Sequence, residues 1–178
     1  MAIKMQDLTE KARQIRLVIF DVDGVLTDGS LFFGDDGQEY KAFNSKDGHG
    51  IRMLLENGIE AAIITGRESN VVTHRMNNLG IPHVLQGRRE KLPAYEEIKD
   101  MTGFEDNEIA YVGDDVIDLP VMKRVALAIT VHDAHPYVKQ HAHWQTPSSG
   151  GHGAARDVCE MILDAKGLLP AILESYLQ

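Results

Sequence analysis

Short apolar runs alternate with longer amphipathic ones through most of the chain, and that alternation restricts the fold more than any other feature. Strand-like runs fall at 17–20, 59–65, 83–86, 108–112 and 126–130, with a shorter one at 144–146. Helical spacing fits 48–57, 68–79, 91–101, 116–124 and 134–141, followed by 153–165 and 168–176. Strand then helix, repeated with short connections, predicts an α/β fold of the Rossmann-like kind, a mainly parallel sheet sandwiched by helices. The crossovers of such a sheet are right-handed, and its ligands bind beyond the carboxyl ends of the strands. Chemistry is therefore sought where strands end.

One segment breaks the rhythm. In "GSLFFGDDGQEYKAF" the apolar runs 31–33 and 39–43 flank a Gly-rich turn, which reads as a β-hairpin over about 30–43, projecting after the first strand. Such a hairpin either extends the sheet edge or serves as a flap or subunit contact. There is no repeat, low-complexity tract or linker, so residues 1–178 read as one domain with a carboxyl-terminal tail from about 147.

Composition removes several classes of function. The charged share of 25% and apolar share of 43% are those of a folded globular chain. No apolar run approaches the roughly 20 residues that span a bilayer, and the start "MAIKMQDLTEKARQ" is polar. The expectation is a cytoplasmic protein with no membrane partner. A net charge of −9 without a Lys/Arg cluster argues against nucleic acid. An acidic chain that handles an anionic substrate must bring local cations or a metal. The single cysteine, Cys159, cannot form an internal disulfide and sits in an apolar helical pattern, as a buried residue would.

The strand ends are where the acids collect. "LVIFDVDGVLTDG" carries four apolar residues to Asp21, with Asp23 two positions on, Gly24 freeing the backbone to turn, and Asp28 leading toward the hairpin. Crowded carboxylates repel, so one stays protonated or a cation sits between them. Both outcomes suit phosphoryl transfer: Mg²⁺ removes repulsion between an anionic nucleophile and a phosphate, and a carboxylic acid protonates the leaving oxygen. "AAIITGR" ends a strand with Thr65, Gly66 and Arg67, a hydroxyl, backbone N–H groups and a cation for an anion. "REKLPAYEEI" opens a helix with Lys91. "IAYVGDDVIDLPVM" ends another strand with Asp114 and Asp115, with Asp118 close behind.

Taken together, "DVDGVLTD", the Thr of "IITGR", the Lys of "REKL" and "GDDVID" resemble the haloacid dehalogenase superfamily of phosphotransferases. The resemblance implies an aspartyl-phosphate mechanism with Mg²⁺. It makes Asp21 the nucleophile and a metal ligand, and Asp23 the general acid and base that also lends its backbone carbonyl to the metal. Thr65 and Gly66 would hold the phosphoryl group and Lys91 would neutralise charge. Asp114 would bind the metal directly, supported by Asp115 and Asp118. The intervals between motifs leave no room for a separate cap domain.

Longer stretches, "DGVLTDGSLFFGDDGQEYKAFNSKDGHGI", "DAHP" and "GGHGAARDV", resemble one branch, the 3-deoxy-D-manno-octulosonate (KDO) 8-phosphate phosphatases of Gram-negative lipopolysaccharide synthesis. That branch implies a homotetramer with hairpins at its centre and a neighbouring subunit covering each site. It also makes "SSGGHGAARDV" a mobile tail that brings Arg156 to a sugar-acid phosphate, with Arg67 and Arg75 as further anion-binding candidates. A nine-carbon sialic-acid-type 9-phosphate is the alternative substrate, and a receiver-like regulatory module the alternative class. The acid at Asp23 favours turnover, since a lasting signalling phosphate has no use for it. His132, His135, His141 and His143 invite a zinc site, but no H-E-x-x-H helix or nearby cysteine supports one.

Overall fold

A computed structural model describes residues 5–178. Six strands form one parallel sheet: β1 (Leu17–Phe20), β4 (Glu60–Ile64), β5 (His83–Leu85), β6 (Ile109–Gly113), β7 (Leu127–Thr130) and β8 (Trp144–Gln145). Their order is β5-β4-β1-β6-β7-β8, so the chain builds outward from β1 on one side, returns, and builds outward on the other. The reversal lies between β1 and β6, and such switch points are where doubly wound sheets open a crevice for ligand.

The central strand shows why the sheet is a sandwich. All four residues of β1 are buried. Val18 and Phe20 join a core beneath α1 (Met5–Gln14), α2 (Ser45–Glu56), α3 (Asn70–Leu79) and α7 (Ala154–Ala165). Leu17 and Ile19 face the opposite core, under α4 (Lys91–Thr102), α5 (Leu119–Met122) and α6 (Pro136–Lys139). Alternating side chains thus feed two apolar layers, which is why the strand reads as a continuous apolar run.

Several expected boundaries move for local reasons. Helix α2 begins at Ser45 instead of 48, because Asn44 accepts the Lys46 N–H and caps it. The stretch 116–124 splits into a 3₁₀ turn, Val116–Asp118, and the short α5 with Pro120 in its first turn. Helix α6 is one turn, not the two of 134–141. The amino-terminal helix α1 was not expected from so polar a start. Its apolar residues Leu8 and Ala12, with Ile15 beyond, nonetheless lie on one face and are buried.

The hairpin pairs β2 (Phe32–Phe33) with β3 (Glu39–Tyr40) as a separate two-stranded sheet, so it does not extend the main one. Leu31, Phe32, Phe33 and Tyr40 are exposed on it. The tail corrects an expectation. Its first half is core: Ala154, Ala155, Val158, Cys159, Ile162 and Leu163 of α7 are buried against α2 and the sheet. Only α8 (Leu169–Ser175) buries no residue. Among the described residues no helix is long and apolar enough to cross a membrane.

Candidate active site

The parallel register sets the site's floor. Phe20 lies beside Ile63 and Val112, and Asp21 N–H donates to the Val112 carbonyl at 3.0 Å. Extending the register by one residue places Asp21 level with Ile64 and Gly113, so Thr65 and Asp114 follow at the same rim. Three adjacent strands thus deliver Asp21, Thr65 and Asp114 to the crevice at the switch point.

Lys91, the first residue of α4, is the cation of this crevice. Its Nζ lies 3.0 Å from Asp21 Oδ1 and 2.6 Å from Asp118 Oδ1, and all three side chains are buried. Burial alone would push the ammonium down, but the facing carboxylates of Asp21 and Asp118 hold it above the usual lysine range. Asp118 has no free lone pairs to offer a ligand. Its Oδ1 also accepts from the Tyr111 hydroxyl at 2.6 Å, and its Oδ2 accepts from the backbone N–H groups of Asp114 and Asp115 at 3.0 and 3.1 Å. It aims Lys91 and folds the Gly113–Asp115 loop, and Gly113 permits this because a Cβ there would lie 2.4 Å from Asp118 Cγ.

Asp114 differs. Its Oδ1 is buried with no hydrogen-bond partner, an expensive arrangement for a carboxylate unless something positive is accommodated there. One oxygen each from Asp21, Asp114 and Asp118 lies within 4.8 Å of the others, among the described residues the only such group with metal-ligand spacing. Burial pushes the Asp114 carboxyl up to about 8, with repulsion from Asp21 and Asp118 adding to it. Burial likewise pushes Asp21 up to about 7, against the pull of Lys91. An oxygen-only donor set of this charge suits Mg²⁺, with Asp21 and Asp114 as the carboxylates that have capacity left. Asp115 is exposed and its side chain caps the 3₁₀ turn by accepting from Val116 N–H.

The loop from Asp21 to Gly29 is held from below. Thr27 Oγ1 accepts from the N–H groups of Gly24 and Gly29, and Asp28 accepts from Ser30 N–H in a turn toward the hairpin. Gly24 has φ +90°, and a Cβ on it would lie 2.2 Å from Asp114 Oδ2. The Gly-rich segment read as a mobile tail packs directly beneath: a Cβ on Gly150 would lie 1.8 Å from the Gly24 carbonyl oxygen, and Gly151 N–H donates to the Val25 carbonyl. These glycines serve close backbone approach, not motion.

Asp23 is not part of the carboxylate group around Lys91. It pairs with Lys41, the residue after β3, which also pairs with Glu39 at 2.9 Å. Glu39 in turn holds Arg67 at 3.3 Å. Arg67 lines a cleft of about 660 Å³ together with Gly66, Glu68, Gly87, Arg89 and Ile117. Thr65 is buried at its edge, and the Arg88 N–H to Thr65 carbonyl bond laces the loops after β4 and β5 together.

Two of the expected anion-binding residues lie elsewhere in this chain. Arg75 packs over Gly48 of α2, donating to the Asn44 carbonyl at 3.5 Å and to Asn78 at 3.3 Å. Arg156 lies against Gly50 and donates to Glu160 at 2.6 Å. The histidines serve the fold: His135 Nδ1 accepts from Tyr137 N–H and His143 Nδ1 from Ala128 N–H. Lys41, Tyr111, Thr27 and Arg89 were not anticipated; only the Lys41 charge beside an acidic hairpin turn offered a signal in the sequence.

Residues 83–157 match the family described as haloacid dehalogenase-like hydrolase. The 3-deoxy-D-manno-octulosonate 8-phosphate phosphatase KdsC of Yersinia pestis is 47% identical over 163 residues, covering 92% of this chain and 87% of that protein. A crystal structure of the Moraxella catarrhalis enzyme of the same name, in complex with magnesium, phosphate and KDO, superposes with a TM-score of 0.95 at 38% identity. It covers 97% of this chain and 99% of that one. A probable YrbI family phosphatase from Pseudomonas syringae gives a TM-score of 0.95 at 47% identity, covering 97% and 98%. With relatives at this identity over nearly its full length, and clustered carboxylates at the switch point of its sheet, the chain belongs to the 3-deoxy-D-manno-octulosonate 8-phosphate phosphatases of the haloacid dehalogenase-like hydrolases.

Proposed function

We propose that this chain hydrolyses 3-deoxy-D-manno-octulosonate 8-phosphate to KDO and inorganic phosphate, as a phosphoric monoester hydrolase of lipopolysaccharide synthesis in the cytoplasm. The observation that carries the reading is Asp21, buried at the carboxyl end of β1 and ion-paired to Lys91 beside the unpartnered Asp114 oxygen. The Asp21 carboxylate attacks phosphorus, the bond from phosphorus to the sugar oxygen breaks, and Asp23 gives that oxygen a proton. Asp23 then takes a proton from water, the water oxygen attacks phosphorus, and the bond from phosphorus to the Asp21 oxygen breaks, which regenerates the carboxylate and frees phosphate. The Thr65 hydroxyl and Gly66 N–H donate to phosphoryl oxygens, while Lys91 offsets their charge. The Asp21 and Asp114 carboxylates and the Asp23 carbonyl would hold Mg²⁺, which would supply the charge neutralisation that lets two anions meet. Asp115 and Asp118 support that site through the loop they shape.

The cleft with Arg67 receives the sugar acid. The exposed aromatic residues of the hairpin, with Val116 and Ile117 exposed as well, support a homotetramer in which a neighbouring subunit closes each cleft. Arg75 and Arg156, which do not reach this chain's own crevice, are then available to a neighbour's.

The test is phosphate release from the eight-carbon substrate with and without Mg²⁺. EDTA abolishes turnover and Mg²⁺ restores it; turnover that persists without divalent cation overturns the reading. Because Asp21 and Asp114 are pushed up to about 7 and 8, protons compete with the cation. The Mg²⁺ concentration that raises Tm therefore falls as pH goes from 6 to 8, and Asp114→Asn removes the Mg²⁺-dependent rise. A pH-independent midpoint contradicts the carboxylate assignment.

A further inference from the structure

The hairpin contributes a buried charge to a site that the sheet alone does not complete. The Lys41 side chain is 1% exposed, although it follows directly on a hairpin whose aromatic residues are open to solvent. A lysine is rarely buried this fully without counter-charges, and here it has two, Asp23 and, at 2.9 Å, Glu39. Glu39 Oε1 also holds Arg67 Nη2 at 3.3 Å. Four alternating charges, Asp23, Lys41, Glu39 and Arg67, therefore run from the loop after β1, across the base of the hairpin, to the loop after β4.

The contrast between the two catalytic aspartates is informative. Asp21 is fixed by the sheet and by Lys91 from α4. Among the described residues the Asp23 side chain has one ion-pair partner, and it comes from the hairpin. A group that must reach the leaving oxygen, and later a water, within hydrogen-bond distance depends on what holds its carboxylate in place.

We infer that Lys41 is a positioning residue that sets where the Asp23 carboxylate points, so that the placement of the hairpin governs proton transfer at the reacting centre. The inference rests on the reading of Asp23 as the acid and base. The ion pairs of Lys41 are with the side chains of Asp23 and Glu39, and not with the Asp21 or Asp114 carboxylates. Its effect is confined to steps in which a proton moves. Departure of an alkoxide from a sugar phosphate needs a proton, whereas departure of a nitrophenolate does not, so the two leaving groups separate positioning from general damage to the site.

The experiment uses the full-length enzyme with Lys41→Met, Lys41→Arg, Asp23→Asn and the Lys41→Met/Asp23→Asn pair. The readouts are kcat and KM for the sugar-acid phosphate and the pre-steady-state burst of p-nitrophenolate from p-nitrophenyl phosphate. Lys41→Met lowers kcat for the sugar-acid phosphate by about 10²-fold, toward the low end for loss of general acid–base catalysis, with KM changed by less than about 3-fold. The burst rate changes by less than about 3-fold, because that first step needs no proton. Lys41→Arg recovers most of kcat. In the Asp23→Asn background, Lys41→Met adds nothing, since both changes remove one function. Should Lys41→Met not fold, Lys41→Gln, which keeps a donor for Asp23, makes the same comparison.

Equal losses in kcat and burst rate, a loss carried by KM alone, or additive effects in the pair overturn the role of Lys41. Asp23→Asn then discriminates: if it abolishes turnover while Lys41→Met does not, the inference fails and the mechanism stands. If Asp23→Asn is itself fully active, the acid–base reading fails and takes the inference with it.

Discussion

Asp21→Asn loses at least about 10⁴-fold in kcat, because in the proposed mechanism it removes the attacking atom and not a supporting contact. The loss is in chemistry. Asparagine matches aspartate in size, Lys91 keeps Asp118 at 2.6 Å, and the apolar residues of β1 that hold the position are untouched. Tm therefore stays within a few degrees of the parent. Stability does not favour the native residue here, since burial already pushes its carboxyl up to about 7. A site whose charge is unwelcome in the folded state and yet retained is organised for reaction. Acid quenching during turnover of ³²P-labelled substrate leaves label on the parent protein, removable by base, and none on the variant. An Asp21→Asn protein with activity within 10-fold of the parent would place the nucleophile elsewhere.

Lys91→Met carries the largest stability cost. The lysine is buried between Asp21 and Asp118, and removing one member of a buried charge cluster costs about 3–5 kcal/mol. Two features hold the cost near the lower figure. Asp118 keeps the Tyr111 hydroxyl and two backbone N–H groups, and Asp21 escapes by taking up a proton. At about 3 kcal/mol, and about 2–4 °C per kcal/mol for a chain of this size, Tm falls by roughly 6–12 °C. The pH dependence has a definite sign. Without Lys91 the Asp21 carboxyl moves above its present value near 7, far above an unfolded carboxyl near about 4. The variant thus binds more protons folded than unfolded, and its stability deficit against the parent grows as pH rises above about 7. Differential scanning at pH 5.5 and 8 checks this, and a deficit that shrinks with pH would contradict the ion-pair assignment. Turnover is lost at both pH values, because the proposed mechanism needs the Lys91 cation to offset charge on the phosphoryl oxygens.

Most of the frame was legible in the amino-acid sequence because its signals are local. The four apolar residues of β1 and the glycine-acid ends of β1 and β6 are contiguous, and strand–helix alternation left one architecture. The acids of the crevice were legible for the same reason: each sits at the end of its own strand, and a shared sheet brings strand ends together. What was missed depends on contacts between distant segments. Tyr111 reads as one more apolar strand residue, and only its hydroxyl on Asp118 makes it part of the site. Lys41 is 18 residues from Asp23 and reads as the polar end of a hairpin strand. Gly150 and Gly151 fall in the segment that reads as a mobile tail, since glycine serves freedom and close approach equally well in a sequence. Their proximity to the backbone of Gly24 and Thr27 makes them a wedge. Arg75 and Arg156 are cations in a suggestive pattern, but their packing over Gly48 and Gly50 against α2 depends on contacts between distant segments that the sequence does not display.

The central claim is that this crevice processes an eight-carbon sugar-acid phosphate, and kcat/KM across a panel of sugar-acid phosphates tests it most directly, because specificity is a ratio of such values. The expected result is that 3-deoxy-D-manno-octulosonate 8-phosphate exceeds a nine-carbon sialic-acid-type 9-phosphate by at least about 10²-fold, the scale on which a pocket discriminates substrates that differ in size. Equal values for the two, or a preference for the nine-carbon substrate, would contradict it.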